Sequence, residues 1–173
     1  MLLINVVLFV LLVASALSDT LQGKIYNKVT YPAVVVGVLL NLFYGGGMGV
    51  KSSLLGLGVG FTPFFILCLM GLMHGGDVKL LSAIGAIKGY PFILHAIFLS
   101  FLVAGFLALA KMIWKEQFIV TMRRIFATLL SIVVPGRVVE KYQGEETVPF
   151  GLAAFLGSLW ALGMVDFNLT FGF

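Results

Sequence analysis

The chain has 173 residues, of which 61% are hydrophobic and 10% charged, against roughly 45–50% and about 25% in soluble domains. That balance predicts an all-α integral membrane protein and excludes an ordinary soluble enzyme. The net charge of +4 comes from basic residues flanking apolar runs, which set orientation and meet anionic lipid rather than nucleic acid, and the lone Cys68 excludes an internal disulfide or a multi-cysteine zinc site.

Residues 2–17 form the first predicted span, apolar except for Asn5 and Ser15. Ala14-Ser15-Ala16 has the form of a leader cleavage site, but the basic segment that should precede it is absent, so the span is read as an uncleaved helix with its N-terminus outside. Asp19 is expected just past its inner end. Residues 30–47 form the second span and run into the glycines at 45–47 and 49, which read as a turn or outer loop. Residues 52–73 carry no charge and make the clearest span.

Next comes His74-Gly75-Gly76-Asp77-Val78-Lys79-Leu80-Leu81, where charge returns directly after apolar sequence. A charge held near hydrocarbon costs about 2.5–3.5 kcal/mol, so an Asp at a membrane edge points to function. Gly75 and Gly76 leave room for a close backbone approach. Residues 77–89 would make about 20 Å of helix, short for a hydrocarbon core of about 30 Å. Topology nevertheless requires them to cross. Otherwise the next span, 91–112, would deliver Lys111, Lys115, Arg123, Arg124, Arg137 and Lys141 to the outside, against the positive-inside rule. Lys79 and Lys88 then snorkel at the ends of the short helix, with the membrane locally thinned.

Residues 118–134, with Arg123 and Arg124, suit an amphipathic helix on the cytoplasmic leaflet. A charged loop leads to a last span at 147–166. The expected architecture is a single unit over residues 1–173, with six transmembrane helices and one interfacial helix.

In this topology Asp19 and Asp77 each follow a helix that runs inward, so both sit at the cytoplasmic boundary. Two neighbouring carboxylates cannot both ionise cheaply; one keeps a proton while the other accepts one, and the pair can activate water against a peptide carbonyl. The plainer alternative is that Asp19 terminates a helix while Asp77 pairs with Lys79 or Lys24.

Asp19 followed by Ile25-Tyr26-Asn27 and Thr30 resembles the first conserved block of the type IV prepilin peptidases. Gly76-Asp77-Val78-Lys79-Leu80-Leu81, with Ala83-Ile84-Gly85-Ala86 after it, resembles their GxGD block. The resemblance implies a membrane aspartyl protease with Asp19 and Asp77 catalytic, removing the short basic leader of pilin-like precursors at the cytoplasmic face of the inner membrane. It implies Asn27, Lys79, Gly75 and Gly76 as supporting positions, and neither metal nor cofactor. His74 stands where the family's first glycine is usual, next to the site, and Tyr26 where its proline is usual. The paired cysteines of the family's methyltransferase portion are absent from this sequence, which therefore resembles the small, peptidase-only form of tight-adherence pilus systems.

Lys79 either stabilises charge at the acids or sits among headgroups, and Asn27 is read as orienting a carboxyl or the substrate backbone. Glu116, Glu140, Glu145 and Glu146 are the inner-face acids available to attract a basic leader. His95, inside a span, is expected to hydrogen-bond rather than to catalyse. The competing readings are a small proton- or ion-coupled transporter or structural subunit using the same aspartates, and an archaellin-type preprotein peptidase.

Overall fold

A computed structural model describes residues 2–114 and 149–166. The predicted interfacial helix, the acids Glu116, Glu140, Glu145 and Glu146, and the basic residues from Lys115 to Lys141 lie outside the described residues. The described elements are helices: α1 (Leu2–Gln22), α2 (Asn27–Leu69), α3 (Gly75–Lys88), α4 (Phe92–Trp114) and α5 (Phe150–Asp166). The chain divides into two compact units, one of Met1–Ala104 with Pro149–Phe173 and one of Gly105–Val148. Of the second, residues 105–114 are described and are helical.

α1, α2 and the 92–111 portion of α4 are long and apolar enough to cross a membrane. Their outward surface is apolar, with Leu2, Phe9, Val10, Phe43, Leu69 and Phe98 among the exposed large side chains. A soluble protein seldom shows so continuous an apolar surface.

α2 is two arms joined at one residue. Gly46 takes a positive φ of 55° with ψ −142°, which breaks an otherwise helical run, and such a conformation is open to glycine at little cost. The chain folds back there: the Cα hydrogen side of Gly49 lies so close to the Asn41 carbonyl that a Cβ would stand 2.0 Å from that oxygen. The predicted outer loop at 44–49 is thus compressed to a single kink, because helical hydrogen bonding can run up to a left-handed glycine and resume directly after it. The arms, residues 27–45 and 47–69, would span about 28 and 34 Å.

α3 lies inside this hairpin and every residue from Leu80 to Ile87 is buried. Glycines make the approach possible. A Cβ on Gly56 would stand 2.3 Å from the Gly85 carbonyl oxygen, and one on Gly60 would stand 2.5 Å from that of Leu81, so the backbones meet with no side chain between them, as in helix pairs built on small residues four apart. Two carbonyls at the C-terminal end of α3, left without helical partners, accept hydrogen bonds from α2. Asn41 donates to Ile87 O at 2.9 Å and Ala86 O at 3.2 Å, and Ser53 donates to Ala86 O at 2.5 Å. One carbonyl is therefore reached from both arms.

The remaining core joins Leu8, Leu11 and Leu12 of α1 to Leu81, Ile84 and Ile87 of α3, Ile93 and Leu99 of α4, and Ala154 of α5. Lys88 at the end of α3 donates to the Asn5 side chain near the start of α1, at 2.9 Å. The two helices are therefore antiparallel, and Asp19 and Asp77 fall at the same end of the bundle.

Two boundaries differ from the sequence reading near the aspartates. α1 continues to Gln22, so Asp19 lies within its last turns rather than past its end; Thr20 stays compatible with helix by donating its hydroxyl to the Ala16 carbonyl at 2.7 Å. The second arm of α2 stops at Leu69 and residues 70–73 form the connection, with Gly71 at φ 75°.

Candidate active site

The site is built where α1 ends and α3 and α5 begin. Asp77 stands in the first turn of α3, a favourable place for a carboxylate because the free N–H groups and the helix dipole point toward it. His74 caps that helix with extended backbone (φ −82°, ψ 143°), and its carbonyl accepts from the Asp77 N–H at 3.1 Å. Asp77 is only 8% exposed. Asp19 is half-buried. The antiparallel packing of α1 and α3 places the two aspartates at the same end of the bundle.

Asp19 also has a partner that the sequence reading did not anticipate. The backbone N–H of Gly151, in the first turn of α5, donates to Asp19 Oδ2 at 2.6 Å. A glycine opening the last apolar stretch looks like any other small residue in a helix, and only its placement against Asp19 distinguishes it.

The supporting positions divide into two groups. Lys79 Nζ donates to the Asn27 side-chain oxygen at 2.9 Å and lies 5.6 Å from the centre of the Tyr31 ring. It ties the beginning of α3 to the beginning of α2, and its ammonium is directed to α2. Asn27, the first residue of α2, thereby acts as a tether. Tyr31, one turn further on, was not singled out from sequence.

Gly76 gives close approach to the protein itself, since a Cβ there would stand 3.2 Å from Ile25 Cβ. Gly75 is exposed, and a Cβ on it would touch only Cys68 Sγ, at 3.8 Å. The two glycines thus differ: one seats the α1–α2 connection and the other leaves an open surface. His74 points its Nδ1 toward Asp77 Oδ2 at 4.0 Å, but its side chain is 77% exposed. His95, on α4, has its Nδ1 3.4 Å from the carbonyl of Pro91, the residue just before that helix. Among the described residues, no group of three or more His, Cys, Asp or Glu side chains could hold a metal ion.

The described residues form an all-helical fold with membrane-length apolar helices, and Asp19 and Asp77 lie at the same end of it. Residues 6–109 match the model of the type IV leader peptidase family, and the chain belongs to that family. It is also similar to the prepilin peptidase EppA of Methanocaldococcus jannaschii, at 29% identity over 127 residues, which covers 65% of this chain and 35% of that protein. The chain thus spans about a third of the length of the curated relative it matches. No solved structure matches it significantly.

Proposed function

We propose that the protein is an aspartic endopeptidase that removes the leader from type IV pilin-like precursors at the cytoplasmic face of the inner membrane. The observation that carries this reading is the placement of Asp19 and Asp77 at one end of the bundle in a member of the type IV leader peptidase family. The family gives the substrate class. The pair gives a mechanism that needs neither a metal nor a covalent intermediate.

In that mechanism the precursor's own apolar helix lies in the bilayer beside the enzyme, with its leader junction at the inner boundary. The mechanism has the two aspartates share one proton between them. The ionised carboxylate takes a proton from water while its oxygen bonds to the scissile carbonyl carbon, and the protonated carboxyl gives its proton to the carbonyl oxygen. The resulting tetrahedral diol collapses as the carboxyl that took water's proton passes it to the amide nitrogen and the other carboxylate takes a proton from a diol hydroxyl; the C–N bond breaks, and a carboxyl and an amine are released. The six helical segments cross the membrane, α3 included, and Gly75 offers the open backbone surface to the substrate.

Asp19→Asn and Asp77→Asn, each expressed with a pilin-like precursor, test this reading. Each is expected to accumulate normally in the membrane and leave the precursor uncut. Normal processing by either variant would remove the assignment.

A further inference from the structure

Asp19 is held from two sides, by α1, which carries it, and by the first turn of α5. The segment matched by the family model ends at residue 109, whereas α5 begins at Phe150. We propose that the backbone N–H of Gly151 is a positioning group for the catalytic pair, so that the site is completed by a helix outside the matched segment. This inference rests on the proposed peptidase mechanism and adds a component to it.

Two features of this contact carry it. The first is the 2.6 Å hydrogen bond from Gly151 N to Asp19 Oδ2, a charge-assisted contact because the acceptor is a carboxylate. A backbone donor in a helix cannot rotate away, so it fixes one oxygen of Asp19 and with it the side-chain rotamer. The second is the absence of room for any other residue. A Cβ at position 151 would stand 2.8 Å from Asp19 Cβ, 3.0 Å from its Oδ2 and 3.0 Å from the Ser15 carbonyl oxygen. Even alanine must therefore lift α5 from α1 or push the carboxylate out of its seat. The position needs glycine so that its N–H can reach the acid.

The distinction from ordinary packing can be drawn on the same helix. Gly157 lies two turns further along α5, and a Cβ there would stand 2.4 Å from Ser100 N on α4, a severe clash that involves neither aspartate. Gly151→Ala and Gly157→Ala would be purified in detergent as full chains and assayed on a pilin-like precursor, with kcat expressed per folded molecule.

Gly151→Ala is expected to lower kcat by about 10- to 100-fold, the loss typical when a group that orients a functional side chain is removed, with KM little changed. Gly157→Ala is expected to lower the folded fraction and preserve kcat per folded molecule. Should Gly151→Ala fail to fold, glycine-selective 15N labelling of the wild type and of Asp19→Ala supplies a second measure. The Gly151 amide proton is expected far downfield in the wild type and shifted upfield in Asp19→Ala.

Unchanged kcat in folded Gly151→Ala, equal loss of kcat in both glycine variants, or a Gly151 amide indifferent to Asp19→Ala would overturn the proposal. A wild-type chain that leaves the precursor intact would instead strike the proposed function itself.

Discussion

Lys88 and Asn5 are joined by a 2.9 Å hydrogen bond at the end of the bundle opposite Asp19 and Asp77. The contact sets the register of α1 against α3: a slip of one helix along the other would separate this pair and the two aspartates together. The Lys88 ammonium also lies 5.0 Å from the centre of the Phe92 ring, so its position is held from α4 as well.

Asn5→Leu is therefore expected to destabilise the protein without touching the aspartates. A hydrogen bond to a charged group contributes about 1.5–3 kcal/mol. Thermal unfolding in detergent should show a clear loss, whereas the remaining folded protein should cleave precursor at close to the wild-type rate. An unaltered unfolding transition would show that the register is held elsewhere.

The glycines around α3 make a sharper prediction. A Cβ on Gly85 would stand 2.1 Å from the Gly56 carbonyl oxygen, and neither backbone can yield without moving a whole helix. Gly85→Ala is expected to cost about 1–3 kcal/mol or more by overpacking and to reduce accumulation in membranes. Gly58, on the same arm of α2 as Gly56, has nothing within 4 Å of its Cβ position. Gly58→Ala should be neutral or stabilising by up to about 1 kcal/mol. Immunoblots of membrane fractions, together with unfolding curves, would separate the two.

The Lys79–Asn27 tether is solvent-accessible, and exposed contacts of this kind seldom contribute more than about 1 kcal/mol. Asn27→Ala is accordingly expected to slow cleavage by less than about tenfold, far short of the effect of losing either aspartate. Initial rates on the precursor would measure it. A complete loss of activity would move Asn27 from tether to direct participant.

His74→Gly restores the residue usual in the family's motif. Because the imidazole is mostly exposed and 4.0 Å from Asp77, the variant is expected to stay within about threefold of wild type at neutral pH, where solvent screens the interaction. A hundredfold fall in kcat/KM would show instead that His74 contacts the substrate.

Much of this arrangement is written in residue patterning that operates over short distances. Charge balance predicts that the short segment before Lys88 runs opposite to the first helix, with Asp19 and Asp77 at one end, and α1 and α3 are antiparallel. Glycines were legible as breaks but not as contacts. The run 45–49 looks like a loop because nothing local reveals that Gly46 alone turns the chain. Gly76 reads as room for a close approach, but nothing local says that Ile25 is what comes close. Gly151 carried no local signal at all, since its role depends on Asp19, more than a hundred residues away in sequence. The extent of α1 past Asp19 was hidden for another reason: polar residues mark where a helix leaves hydrocarbon, not where its hydrogen bonds end.

The enclosure of α3 has a consequence for how the protein is made. Its 14 residues reach about 21 Å and carry Asp77, Lys79 and Lys88, each costly to place in lipid on its own. Such a segment has little tendency to partition into a bilayer as it leaves the ribosome. It needs the hairpin of α2 already in place, with glycine backbone and the Asn41 and Ser53 side chains ready to receive it. Asp77 is therefore seated at the same end of the bundle as Asp19 only once the surrounding helices have assembled.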